Sequence, residues 1–334
     1  MSKAAAACVA RSPSESHEDL VTFRAMASDV ALRVIEPNLS ARDALARARR
    51  IFERVELTCT RFDPDSSLMR ANAATCRWSV VEPECYFAIQ EAFGAYQRTR
   101  GAFDPRVLRM LVAQGYDQTL HFRPENPAAN QDGVQWREAA QGTAIPAPWQ
   151  PEFDPGRMSV RIGPDPIDLG GIGKGLAVRW AAEELREAGS AFLVEAGGDC
   201  YAGGCGPEGQ GWRVGVEDPF GGSDPCAVLQ ISDLACATSS IRIRRWQIAG
   251  RTVHHLFDPR TGAPGGFGLQ AATVVGREPA ESEVWSKSLF LAGTDGIADL
   301  AAQTGLAALW VTDDRKIGFS PAIEQHVIWR RFYE

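Results

Sequence analysis

IDLGGIGKGLA, residues 167–177, is the most informative segment of this 334-residue sequence. Four glycines in its first nine residues lie between a predicted strand and a predicted helix, where they let the backbone approach a ligand closely. The N-terminus of the helix presents free N–H groups and a partial positive charge, and Lys174 adds a full charge. The segment matches neither the Walker A loop nor the GxGxxG fingerprint. It predicts a phosphate-binding turn, although a glycine-rich helix entry with a solvated lysine would show the same pattern.

Composition and net charge limit the kinds of molecule that the protein is expected to bind. Apolar residues make up 45% of the chain and the net charge is -7. A general nucleic-acid binder needs a basic face, so we expect no nucleic acid as partner, whereas a local nucleotide site stays compatible with an acidic protein. No stretch approaches the ~20 apolar residues of a transmembrane helix, so we expect no membrane partner.

The cysteines and the N-terminus indicate the compartment. The eight cysteines form no CxxC pair, and the five histidines add no closely spaced zinc ligands. We interpret the cysteines as reduced thiols in a cytoplasmic protein. Residues 1–20 lack the apolar core of a secretory signal and are predicted to be a disordered lead, followed by one domain over residues 21–334.

Periodicity predicts an α+β fold. Alternation predicts a strand over residues 23–36, and a helix is expected over residues 40–57 with Ser40 or Asp43 as its cap. Ser66 or Ser67 is expected to cap a short helix. Further helices are predicted over residues 83–100, 174–188, 281–291 and 295–304, and strands over residues 191–195, 307–312 and 326–332. Residues 120–157 are predicted to be a surface excursion with one helix near residues 135–142. Because helices and strands do not alternate strictly, we expect largely antiparallel or mixed sheets.

Four other motifs carry side chains suited to chemistry. HHLFDPRTGAP (residues 254–264) holds His255 and Asp258 in tight turns, where functional residues are common, although a lone histidine is more often structural. GAFDP (residues 101–105) is another sharp turn, and EAGGD (residues 195–199) ends a strand. In EVWSKSL (residues 283–289), Glu283 and Lys287 are four residues apart on one helix face, which by itself could be a plain ion pair.

The order of these motifs resembles the FAD:protein FMN transferase family of the ApbE type, over about residues 23–312. The matching segments are MAS, RFDPDSSL, GAFDP, DLGGIGKG, GGD, HLFDPRTG and SEVWSKSL. The resemblance implies an ApbE-like two-lobed α+β fold that binds FAD in a cleft between the lobes. It also implies that FMN is moved from FAD to a Ser or Thr of an acceptor flavoprotein, with release of AMP.

The resemblance assigns roles to individual residues. His255 would act as base toward the attacking hydroxyl, and the ordinary histidine pKa of ~6.5 suits that role. The implied FAD contacts are Met26, Phe62, Ala102, Phe103, Asp104, Gly170, Lys174, Leu176, His255 and Phe257.

The metal site implied by the family is altered here. The family holds Mg²⁺ through a carbonyl at the position of Gly173 and through Asp and Thr at the positions of Glu283 and Lys287. An ammonium cannot ligate a cation. Lys287 would either occupy the place of the metal, pair with Glu283 and touch the pyrophosphate directly as a catalytic residue, or swing outward and leave a weakened Mg²⁺ site.

These departures leave several functions open. An active transferase is one; a non-transferring FAD-binding protein, such as a flavin carrier or redox protein, is a second; a weak FAD pyrophosphatase is a third. The family's MGT glycine is Ala27 here, and Arg242 and Arg244 follow the ATSS stretch. These arginines would either engage phosphates or alternate on an exposed strand face.

Overall fold

The structure, a computed structural model, describes residues 17–116, 147–248 and 251–333. The helices are α1 (Ala41–Cys59), α2 (Ser67–Ala73), α3 (Pro83–Arg98), α4 (Leu108–Ala113), α5 (Gly173–Leu185), α6 (Pro279–Leu291) and α7 (Gly293–Thr304), with a 3₁₀ helix at Pro321–His326. The strands are β1 (Glu18–Ala25), β2 (Ser28–Ile35), β3 (Ser79–Val80), β4 (Glu152–Asp154), β5 (Ser159–Arg161), β6 (Ala191–Ala196), β7 (Asp199–Gly203), β8 (Trp212–Val216), β9 (Ala227–Ile231), β10 (Leu234–Ser240), β11 (Arg245–Ile248), β12 (Arg251–His254), β13 (Phe257–Asp258), β14 (Ala263–Pro264), β15 (Leu269–Gly276), β16 (Ala307–Thr312), β17 (Ile317–Phe319) and β18 (Val327–Arg330).

One antiparallel sheet takes strands from both ends of the described chain. Its order is β1-β2-β6-β7-β10-β15-β16-β17. Two three-stranded sheets, β18-β9-β8 and β3-β5-β4, and the hairpins β11-β12 and β13-β14 complete the described strands, and these pairings are antiparallel too. The α+β fold with antiparallel sheets expected from the sequence is confirmed.

The large sheet is covered on both faces, as the alternation along β6 demonstrates. Phe192 and Val194 belong to the core cluster that includes the buried faces of α1, α3 and α5. Ala191 and Leu193, on the opposite face, belong to the cluster that includes Trp212 and the strands of the small β18-β9-β8 sheet. Because successive strand residues point to opposite faces, one strand contributes to both cores.

The predicted strand over residues 23–36 is wrong, because the chain turns back in its middle. β1 and β2 form a hairpin whose two turn residues, Met26 and Ala27, have φ of 54° and 56°. A two-residue turn of this kind needs positive φ at both positions, usually supplied by Asn or Gly. The sequence MA therefore gives no turn signal. The N–H of Met26 donates to Glu56 Oε1 at 2.9 Å, which fixes the turn against α1.

Other boundaries also differ from the expectations. β1 begins at Glu18, inside the segment predicted to be a disordered lead, and residues 1–16 lie outside the described residues. Ser40 occupies the N-cap of α1, but its side chain does not cap the helix, whereas Ser66 accepts the N–H of Met69 and caps α2. The helix expected near residues 135–142 lies outside the described residues. Trp149 lies within residues 120–157, the segment predicted to be a surface excursion, but it is buried. Its indole N–H donates to the carbonyl of Ile162 at 2.9 Å.

Two further observations concern membrane-spanning helices and the state of the cysteines. Among the described residues, no helix combines the length and the apolar character needed to cross a membrane. Cys205 is disulfide-bonded, so the interpretation of all cysteines as reduced is wrong for this residue.

Replacing Ala27 with Gly is expected to raise the free energy of unfolding by about 1 kcal/mol, because glycine adopts positive φ without the penalty that alanine carries. Urea unfolding followed by circular dichroism measures the change. Ala31→Gly within β2 is the control and should lower stability by about 0.5–1 kcal/mol. A destabilised Ala27→Gly variant would contradict the assignment of strain to this turn.

Candidate functional site

A cleft of ≈ 380 Å³ lies where the β1–β2 turn, the end of α1, the glycine-rich turn and the β12–β13 segment meet. Most residues proposed from the sequence line it: Met26, Phe62, Ala102, Phe103, Asp104, Gly170, Gly173, Lys174, His255, Phe257 and Lys287. Leu176 is not brought to the cleft, since it is fully buried in the core cluster of α1 and α5. Glu283 lies behind the wall, 1% exposed.

Behind the glycine-rich turn lies a buried group of four charges that we call the lysine–carboxylate cluster: Lys174, Asp199, Glu283 and Lys287. Lys174 bonds to Asp199, and its Nζ lies 3.2 Å from Glu283 Oε1. Lys287 Nζ lies 3.1 Å from the same oxygen. Glu283 Oε2 accepts the N–H of Gly175 at 2.8 Å. Both oxygens of Glu283 are thus occupied, and two positive and two negative charges balance.

The pKa values in the cluster follow from burial and from the opposite charges. Burial disfavours ionisation of Glu283, but Lys174, Lys287 and the Gly175 N–H outweigh it and lower its pKa to about 2. Burial also lowers the pKa of Lys287, and Glu283 offsets part of this effect. For Lys174, burial is outweighed by Asp199 and Glu283, so its pKa is raised. The buried charges therefore depend on one another.

Two glycines of the IDLGGIGKGLA segment make this packing possible. A Cβ on Gly175 would lie 2.6 Å from the Cα of Ala280, so α5 and α6 approach closely there. A Cβ on Gly171 would lie 2.9 Å from the ring of Phe103 and 3.3 Å from Lys287 Cε. The glycines let an aromatic ring and an ammonium reach the same turn.

The sequence reasoning missed Arg61 and Asp168, which face the cleft together. Arg61 Nε lies 3.4 Å from Asp168 Oδ1, with the Arg61 side chain 5% exposed. The guanidinium lies over the rings of Phe62 and Tyr116, 4.2 Å from each centroid. Its Nη2 is buried and has no hydrogen-bond partner among the described residues. Such a donor is costly unless a ligand oxygen accepts it. The sequence feature that could have identified Arg61 is its place directly before Phe62 in the motif RFDPDSSL.

A repeated tetrapeptide, also missed, contributes to two parts of the cleft wall. Phe-Asp-Pro-Arg occurs at residues 103–106 and again at residues 257–260. In each copy the aspartate accepts the backbone N–H of the arginine at 2.9 Å and forms an ion pair with its guanidinium. Asp104 and Asp258 are therefore held by their own turns. Each phenylalanine faces the cleft.

His255 differs from the histidine of ordinary pKa that the sequence suggested. Burial, followed by the charges of Arg244 and Lys287 and by His254, lowers its pKa well below 6.5. The ring is neutral at pH 7. Its Nδ1 lies 3.3 Å from the carbonyl of Arg244. Since a carbonyl only accepts, this contact places the proton on Nδ1 and leaves Nε2 free to accept one.

The two arginines after the ATSS stretch have different surroundings. Arg242 forms an ion pair with Glu217 on the protein surface. Arg244 lines the cleft. Residues 241–244 form a bend and not a strand, so the expected alternation on a strand face is not found and the two arginines have different surroundings.

Comparison with known proteins adds independent findings. The model of the ApbE family matches residues 26–310. The chain is 28% identical over 167 residues to the FAD:protein FMN transferase of Escherichia coli (strain K12), which is 48% of each chain. It therefore spans about half the length of that curated relative. It is 24% identical over 307 residues to the FAD:protein FMN transferase of Treponema pallidum (strain Nichols), covering 87% of this chain and 83% of the relative.

A solved structure is similar over nearly the whole chain. The crystal structure of the ApbE protein of Thermotoga maritima has a TM-score of 0.78 and 25% identity, and the match covers 92% of this chain and 99% of that one.

Gly175→Ala is expected to lower the free energy of unfolding by about 1–3 kcal/mol, because the added methyl group overlaps α6 and outweighs the better helix propensity of alanine. Chemical unfolding measures this loss. Gly156→Ala is the control: its Cβ would meet only Asp154 Oδ1 at 3.4 Å, so stability should change by less than about 0.5 kcal/mol. Equal stabilities for both variants would show that α5 and α6 are not in close contact.

Proposed function

Because this chain belongs to the ApbE family, we propose that it is an FAD:protein FMN transferase. The observation that carries the proposal is the convergence of the glycine-rich turn, the lysine–carboxylate cluster and a neutral His255 on one cleft. Aromatic side chains on its walls suit a flavin ring, and the cations suit a pyrophosphate. The FAD contacts implied by the motifs belong to this proposal, except for Leu176, which is buried in the core.

The proposed reaction is a phosphoryl transfer, in which the phosphorus of the FMN half exchanges one oxygen partner for another. The hydroxyl oxygen of a Ser or Thr on the acceptor protein forms a bond to the phosphorus of the FMN half. The bond from that phosphorus to the bridging oxygen breaks, and AMP leaves with the bridging oxygen. The hydroxyl proton passes to Nε2 of His255. Phosphoryl transfer depends mainly on positioning and on stabilising charge on the phosphate oxygens, which Lys174 and Lys287 would do here.

The residues present do not fit a Mg²⁺ ion. Mg²⁺ needs oxygen ligands in near-octahedral geometry. Both oxygens of Glu283 are bonded to other groups, and the Lys287 ammonium lies 3.1 Å from one of them. No set of three or more His, Cys, Asp or Glu within residues 17–116, 147–248 and 251–333 could hold a metal ion. We therefore infer that Lys287 occupies the place of the metal and that the proposed transfer proceeds without Mg²⁺.

Lys287 also favours a second candidate function. An ammonium supplies one positive charge where the family is expected to use two, so the transition state receives less stabilisation. A protein that binds FAD without cleaving it, as a flavin carrier or redox protein, would retain the same cleft.

We propose an acceptor protein as partner and retain a cytoplasmic location as a prediction. The prediction of a cytoplasmic location rests partly on reduced cysteines, and the disulfide at Cys205 argues against that part, because disulfide bonds are rare in cytosolic proteins.

Incubation with FAD and an acceptor domain that the E. coli relative flavinylates tests the function directly. In buffer with EDTA we expect AMP and an acceptor heavier by one FMN, measured by chromatography and mass spectrometry. Lys287→Met should lower kcat/KM by about 10²–10³-fold, as loss of one transition-state donor does in other enzymes. Bound FAD recovered intact from the wild type would favour the carrier instead.

Restoring the family's oxygen ligands should restore metal use. The double variant Glu283→Asp, Lys287→Thr is expected to bind Mg²⁺ and to transfer FMN only when Mg²⁺ is present, because two oxygens replace the ammonium. Isothermal titration with Mg²⁺ and the transfer assay measure both effects. Lys287→Met removes the same charge without adding an oxygen and should gain no Mg²⁺ response. A Mg²⁺-dependent wild type would contradict our interpretation of Lys287.

The pH profile of kcat/KM tests His255 as base. A base acts in its unprotonated form, and a lowered pKa keeps the ring unprotonated to lower pH. The acid limb of the free enzyme should therefore fall well below pH 6.5, and His255→Asn should abolish it. A wild-type limb centred at pH 6.5 would show that the ring is not buried as the structure has it.

A further inference from the structure

Among the cations that the described residues bring to the cleft, Arg244 is the one that lacks a carboxylate partner. It lines the cleft together with Lys174, Lys287 and His255. No ion pair or side-chain hydrogen bond of its guanidinium is found within the described part of the chain. Its charge nevertheless acts on the site: after burial, it helps to lower the pKa of His255, and it offsets part of the rise in the pKa values of Lys174 and Asp168.

The other cations at the cleft are balanced by carboxylates. Lys174 and Lys287 share Asp199 and Glu283, and Arg61 pairs with Asp168. Arg106 and Arg260, whose turns contribute other residues to the cleft wall, pair with the aspartates of those turns. The cleft is also lined by the carboxylate of Glu56, but this residue is exposed and its Oε1 accepts the N–H of Met26 and not a cation. Among the described residues that line the cleft, Arg244 is therefore the cation whose charge is not offset by a carboxylate of the protein.

The main chain of Arg244 already has a separate task. Its carbonyl accepts the N–H of His255 at 3.3 Å and lies 3.3 Å from the Nδ1 of that ring. Any residue at position 244 supplies this carbonyl. The side chain is thus not needed to hold His255, and its role can be tested without moving the ring.

We propose that the Arg244 guanidinium binds the pyrophosphate of the flavin nucleotide, and that Arg244 and Lys287 together supply the two positive charges that a divalent ion would bring. A guanidinium offers paired donors that match two phosphate oxygens. This inference rests on the proposed function and extends it: the site is a metal-free, three-cation site with Lys174 as the third member. It selects ligands that carry a pyrophosphate over flavins that lack one.

The test compares dissociation constants for FAD and riboflavin in buffer with EDTA, measured by flavin fluorescence. Arg244→Gln should weaken FAD binding by about 10- to 100-fold, the range expected for a charged hydrogen bond. Riboflavin binding should change by less than about 3-fold, because riboflavin carries no phosphate for Arg244 to bind. Arg242→Gln is the matched control, since Arg242 lies two residues away and pairs with Glu217 on the surface. It should leave both constants unchanged.

The outcomes separate this inference from the function on which it rests. Wild-type affinity for FAD in Arg244→Gln, or equal weakening of FAD and riboflavin, would overturn the role of Arg244 and leave the transferase intact. Failure of the wild-type protein to bind FAD without Mg²⁺ would overturn the metal-free site alone. Failure to bind FAD both with and without Mg²⁺ would overturn the proposed function as well. If Arg244→Gln does not fold, Arg244→Lys decides: it keeps the charge but not the paired donors, so FAD binding should weaken several-fold with riboflavin unaffected.

Discussion

The lysine–carboxylate cluster is the interaction on which the cleft depends, because it joins elements that are far apart in the sequence. Lys174 belongs to the first turn of α5, Asp199 begins β7, and Glu283 and Lys287 lie on α6. Asp199 also accepts the N–H of Thr238 in β10 at 3.2 Å. Removing one member would leave a buried charge without its partner, which is costly in a low-dielectric interior. The cluster therefore constrains the position of the glycine-rich turn relative to α6.

Charge balance within the cluster decides what the cleft can offer a ligand. The lysine at position 287 brings a positive charge without the oxygen that a cation would need. Both carboxylate oxygens of Glu283 accept hydrogen bonds from donors of the protein, so the charge of Glu283 is neutralised inside the protein. The attraction for an anion must then come from the lysine ammonium groups at the cleft surface and from Arg244. Two of these cations, Arg244 and Lys287, also help to lower the pKa of His255, after burial.

Rigid turns form much of the remaining wall. The two Phe-Asp-Pro-Arg turns hold Phe103 and Phe257 through ion pairs between each aspartate and its own arginine. Met26 and Ala27 are held in a left-handed conformation by a contact with α1. Strain of this kind persists where surrounding contacts over-determine the backbone, and such places are common at binding sites. The cleft is thus shaped largely before a ligand enters.

The sequence by itself determined the family, the α+β class, most helices to within a few residues, and the turns that carry the site. These properties depend on local periodicity, on glycine and proline positions and on the order of short motifs. Only the tertiary structure decided that residues 23–36 fold as a hairpin, that Leu176 points into the core and that Arg244, not Arg242, reaches the cleft. It also decided that Lys287 turns toward Glu283 and that His255 is neutral. Each of these depends on neighbours distant in sequence, because burial and electrostatic interactions act through space and leave no periodic pattern along the chain.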